Sequence, residues 1–68
     1  MMWCIIWNRD GKYEMFTNVL FESEKQAIEF KNKQTQFRKK HDARAVKYNS
    51  KYFLGIDEKE ILEQTSSN

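Results

Sequence analysis

Cys4 and His41 are the only cysteine and the only histidine of the chain, and they form its one conventional pairing of a nucleophile with a base. Covalent catalysis needs a nucleophile, a base beside it and a group that steadies developing charge. Cys4 stands in an apolar run between Trp3 and Ile5, whereas reactive thiols favour electropositive, partly exposed places. The residue types therefore read as a small strand residue and a helix-end cation, and the chain as a protein that is not an enzyme. Two such residues far apart cannot supply a closed zinc site. Gly11 and Gly55 are each solitary, so no phosphate-cradling loop is present, and Glu58 and Glu60 fall where the first turn of a helix favours acids. No metal or cofactor is expected.

Charge carries more information than chemistry. Residues 31–51 hold eight basic side chains against Asp42 alone, a net +7, while residues 1–30 hold three basic against five acidic, and residues 52–68 one against four. The overall +2 thus conceals a strong polarity. Arg38, Lys39, Lys40, Arg44, Lys47 and Lys51, with Tyr52, are the candidate partner-binding residues. Such a segment suits an acidic protein surface or a phosphate backbone, with Phe37, Tyr48 and Tyr52 available to stack on bases if exposed. The modest net charge falls short of a dedicated nucleic-acid binder, and no zinc finger, RNA-recognition signature or helix-turn-helix is visible.

These residues need elements to position them. Trp3, Ile5 and Trp7 alternate with Cys4 and Ile6, Asn8-Arg9-Asp10-Gly11 supplies turn chemistry, and Lys12 to Thr17 resumes a β-rich pattern. Two registers compete. A two-residue loop at Asp10-Gly11 sets Trp7 against Glu14; a three-residue loop with a bulge pairs Trp7 with Tyr13. The second is favoured, because it gathers Trp3, Ile5, Trp7, Tyr13 and Met15 on one face. The other face then carries Cys4, Ile6 and Phe16 and needs cover from residues 19–21, the C-terminal segment or another chain.

Ser23 and Gln26 have capping-box spacing, and Ala27, Phe30, Gln34, Phe37 and His41 trace one stripe, which predicts a helix from Glu24 to about His41. Arg38, Lys39 and Lys40 would crowd its last turn. Arg44, Val46 and Tyr48 alternate as in a strand, and residues 51–54 read as a short fourth strand or extended segment. Asp57 and Glu60 open a second helix over residues 58–64, stapled by Ile56 and Ile61; so short a helix must dock through Ile61 and Leu62 or stay disordered until a partner arrives. Residues 65–68 form a polar tail.

The expected fold is α+β, in the order ββαβ(β)α: an antiparallel sheet with the long helix across Trp3, Ile5 and Trp7. One domain over residues 1–64 is the sensible partition. A chain of about 60 residues buries only about 60 % of its unfolded surface, so ten aromatics must do what disulfides or a metal do elsewhere. A lone cysteine fits a reducing compartment, and the opening apolar run is too short for a signal sequence, so a cytoplasmic protein is expected, without a membrane span. The lysine-rich, proline-free composition is the style of small accessory proteins of low-GC genomes, bacteriophage included. The leading expectation is a protein-binding modulator or inhibitor that meets a larger host protein through its basic patch and a sheet edge. A small nucleic-acid-binding protein and a structural homo-oligomer, such as a homodimer of paired hairpins, are the alternatives.

Overall fold

The turn at Asp10-Gly11 sets the register of the sheet. Both residues have positive φ, 56° and 88°, the requirement of a tight two-residue loop whose twist matches that of the strands it joins. The Gly11 N–H donates to Asn8 Oδ1 at 3.0 Å and braces it. In the computed structural model, which describes residues 1–61, β1 (Trp3–Arg9) therefore pairs β2 (Lys12–Met15) with Arg9 opposite Lys12, Asn8 opposite Tyr13 and Trp7 opposite Glu14. The three-residue loop with a bulge is not formed. A slip of one residue changes which face every β2 side chain joins: Tyr13 and Met15 lie with Cys4 and Ile6, while Glu14 and Phe16 lie with Ile5 and Trp7.

Two more strands complete an antiparallel sheet of order β3-β1-β2-β4. β3 (Arg44–Lys47) pairs β1, with Val46 opposite Cys4 and Arg44 opposite Ile6. β4 (Ile56–Asp57) pairs β2 through Lys12 and Tyr13. The fourth strand is thus not residues 51–54. Asn49 accepts the Lys51 N–H on its side chain at 2.9 Å and starts a 3-10 turn, Ser50–Phe53, which folds Tyr52 under the sheet. Gly55, at φ 84°, then turns the chain into β4.

α1 (Glu24–Lys33) begins as its sequence dictates: Ser23 Oγ accepts the Gln26 N–H at 3.2 Å, and Gln26 reaches back to the Glu22 N–H. It packs over β1 and β3, burying Ala27, on the face that carries Trp3, Ile5 and Trp7. It does not run to His41. Gln34 is extended, and its side chain caps the Phe30 carbonyl at 3.3 Å. An unbroken helix from Glu24 to His41 would be about 27 Å long, equal to the longest dimension of the molecule, 27 Å. Breaking at Gln34 instead lets Phe37 fold back on Trp7 and Phe16, with ring centroids 5.7 and 4.5 Å away. Lys39–His41 forms a separate 3-10 turn, ended by Asp42 in the left-handed region, before β3.

The other face holds the larger buried cluster: Cys4, Ile6, Tyr13, Tyr52, Ile56 and Ile61, flanked by Met15, Val46 and Tyr48. Its cover is the C-terminal segment. Residues 58–61 are helical, started by Asp57 Oδ1 accepting the Lys59 N–H at 3.0 Å, and Ile56 and Ile61 both bury as a staple would require. The rest of the second helix expected, with Leu62, and the tail at 65–68 lie outside the described residues. The arrangement is α+β.

Candidate interaction surface

The hydrogen-bond parity of β1 decides which strand is open to a partner. Trp3 exchanges both backbone bonds with Phe21 at 2.7 Å, and the Ile5 carbonyl accepts the Phe16 N–H at 2.9 Å, so the odd residues of β1 serve the β2 side. The even residues serve β3, beginning with the Met2 carbonyl accepting the Tyr48 N–H at 2.8 Å. Arg44, Val46 and Tyr48 therefore point their backbone groups inward. Those of Ala45 and Lys47 point outward, along an edge to which no other strand is paired among the described residues. β1 itself is central, and Cys4 and Ile6 are fully buried, so neither offers an edge. Burial pushes the Cys4 thiol up to about 11, with a backbone hydrogen bond from Asn49 offsetting part of the shift; this is an inert thiol.

Cations surround that edge without forming one stripe. Arg38, Lys39 and Lys40 are exposed in the 3-10 turn just before β3. Lys47 is exposed at the far end of the strand, and Lys51 beyond it. Arg44 is different. It lies on the Cys4–Ile6 face, and its guanidinium grips Asp42 Oδ2 from Nη2 and Nε at 2.7 and 3.0 Å while lying over the Tyr13 ring. Tyr13 donates its hydroxyl to the same carboxylate oxygen. This network ties Asp42, the left-handed residue that ends the 3-10 turn, to Tyr13 of β2 and Arg44 of β3. Asp42 is held below the usual carboxylate range, chiefly by the Arg44 hydrogen bonds, and the Tyr13 hydroxyl is pushed up by burial and by its bond to Asp42.

Tyr52 does not belong to this surface. It is 6 % exposed and part of the core cluster, because the 3-10 turn rather than a strand carries it, so its ring is not presented to a partner. Its neighbours Phe53 and Leu54 are exposed instead, at 55 % and 89 %, with Phe53 edge-on to Tyr48. No periodicity in residues 51–54 distinguishes those two outcomes.

A second group escaped the sequence reading. Trp7, Phe16, Phe37 and His41 make one half-buried aromatic cluster, with Arg9 5.5 Å above the Trp7 ring. Arg9 and Lys40 belong to distant parts of the chain, and only the fold makes them neighbours across a cleft lined by Asn8, Arg9, Asp10, Gly11, Lys40 and His41. Among the described residues no cluster of metal-ligating side chains occurs, and no helix is long and apolar enough to cross a membrane. Comparison with protein-family models, with curated proteins and with solved structures gives no match.

Proposed function

We propose that the protein is a non-enzymatic modulator or inhibitor of a larger protein, and that it takes up an extended acidic segment of that partner alongside β3. The observation that carries this reading is the outer edge at Ala45 and Lys47, to which no strand is paired among the described residues, set among Arg38, Lys39, Lys40, Lys47 and Lys51. Main-chain hydrogen bonds along such an edge supply affinity without demanding a sequence, and the surrounding charge selects acidic partners and speeds encounter. Like charge opposes the pairing of two copies through the same edge, since it would bring two strongly basic segments together.

The test uses an alternating Glu-Val peptide of roughly six residues, the usual length of a strand, and its Lys-Val counterpart. The acidic peptide is expected to shift the amide resonances of Ala45 and Lys47, more weakly as salt rises, and the basic one to leave them unmoved. Ala45→Pro removes an outward donor while leaving the inward ladder bonds in place, because an edge strand tolerates proline at such a position. It is expected to abolish peptide binding in a protein that still unfolds cooperatively. Equal binding of both peptides, or binding undiminished in Ala45→Pro, removes the edge from the mechanism.

A further inference from the structure

We infer that the cleft between the hairpin tip and the Lys39–His41 turn is a binding site for a phosphate group. It has a volume of about 310 Å³, enough for a phosphate and part of whatever it esterifies, and two elements from opposite ends of the first two-thirds of the chain converge on it. Arg9 and Lys40 bring fixed positive charge from its two sides. Arg9 is pre-positioned, since its guanidinium rests over Trp7, and the ring of His41 packs on the same indole with centroids 4.9 Å apart. His41 is also oriented by its backbone neighbour: Nδ1 accepts the Arg38 N–H at 3.1 Å. In the neutral ring the hydrogen therefore sits on Nε2, where it is a donor rather than an acceptor. Arg38 and Lys39, exposed beside the cleft, add to the positive field.

Three acids temper the site and make it testable. Asp10 lines the cleft, Glu14 holds Arg9 Nη1 at 3.0 Å, and Glu58 accepts the Asn8 Nδ2 donor at 2.9 Å. The remaining guanidinium nitrogens stay available to an anion, which prefers the two-pronged donor of arginine to a point charge. Planar recognition by Arg9, charge from Lys40 and a single donor from His41 suit the tetrahedral oxygens of a phosphate. The source is either a free phosphomonoester or the phosphodiester backbone of a nucleic acid. The site shares Lys40 with the cations around the β3 edge but contains neither Ala45 nor Lys47, so Ala45→Pro leaves it intact and the two proposals fail separately.

The experiment follows amide resonances of the full chain at constant ionic strength during titration with orthophosphate and, separately, with a single-stranded oligonucleotide. Saturable shifts confined to Gly11, Lys40 and His41 are expected. Asp10→Asn keeps a residue suited to the left-handed turn and removes the opposing charge, so binding should tighten roughly fivefold; Lys40→Gln, at an exposed position, should weaken it by a similar factor, about what one unit charge a few ångström away is worth in water-like surroundings. Response to orthophosphate alone identifies a phosphomonoester site. Response to the oligonucleotide, displaced by orthophosphate, identifies a backbone site. The inference is overturned if neither probe moves those amides, or if both substitutions leave the affinities unchanged.

Discussion

Both faces of the sheet carry large apolar side chains, but they bury them to different depths. On the Cys4–Ile6 face a short segment, Tyr52 to Ile61, closes the cluster almost completely, with Cys4 and Ile6 at 0 % exposure. On the Trp7 face a ten-residue helix covers Ile5 and buries its own Ala27, yet Trp7, Phe16, Phe37 and His41 stay half-buried. Cys4, aliphatic side chains and two tyrosines thus seal one face, whereas the larger aromatics stay half-buried on the other. Depth of burial here follows from the shape of the cover and not from the size of the residue, and the shallow end is where Arg9 and Lys40 meet.

The sharpest way to break this contrast is at Cys4. At pH 8 about one native thiol in a thousand is ionised, about a hundredfold fewer than for an ordinary cysteine, and the sulfur is out of reach of solvent. Labelling by a disulfide reagent should therefore be slowed at least about a hundredfold and should follow global unfolding as urea is added. Rapid labelling without urea would mean that the C-terminal cover opens locally and that this face is the weaker one.

Truncation compares the faces directly. Ile6→Ala should cost about 2–5 kcal/mol in urea unfolding, as deletion of a fully buried aliphatic does. Phe37→Ala should cost about 1 kcal/mol, since a half-buried ring gives up roughly half the area of a buried one. A reversed order would make the aromatic face the true core.

The smallest effect concerns the corner that joins the faces. Tyr13→Phe removes the hydroxyl donated to Asp42 and should cost about 1 kcal/mol near neutral pH. Because Arg44 and then Tyr13 hold the Asp42 carboxyl below its unfolded value, its contribution is present above about pH 4 and is lost as the pH falls through the lower, folded value. Asp42→Asn should flatten the acid limb of the stability profile in that window; an unchanged limb would assign acid sensitivity to other carboxylates.

Several of these features were legible in the chain. The hairpin, the Ser23 cap, strand β3 and the Ile56–Ile61 staple rest on local chemistry: turn residues, a hydroxyl three positions before an amide, alternation and paired apolar residues. The hairpin register was not. Asp10-Gly11 suits both loop lengths, and the register formed puts Tyr13 on the face where its hydroxyl reaches Asp42. The helix stripe to His41 was not one helix: Ala27 and Phe30 lie in α1, while Phe37 and His41 pack on Trp7 after a break at Gln34. Arg38, Lys39, Lys40, Lys47 and Lys51 were recognisable as a basic surface, whereas Tyr52 was assigned by a strand pattern that a 3-10 turn replaced.

By itself the sequence determined the α+β class, the polarity of charge and the places where the hairpin and α1 start. Those properties depend on residue type and on spacings of a few positions, over which backbone preferences act directly. Only the tertiary structure decided which face Tyr13 joins, where α1 stops, that β3 ends the sheet among the described residues, and that Arg9 meets Lys40 across a cleft. Each of these compares the burial and hydrogen bonding of residues far apart in the chain, and such energies exist only once the segments are in contact.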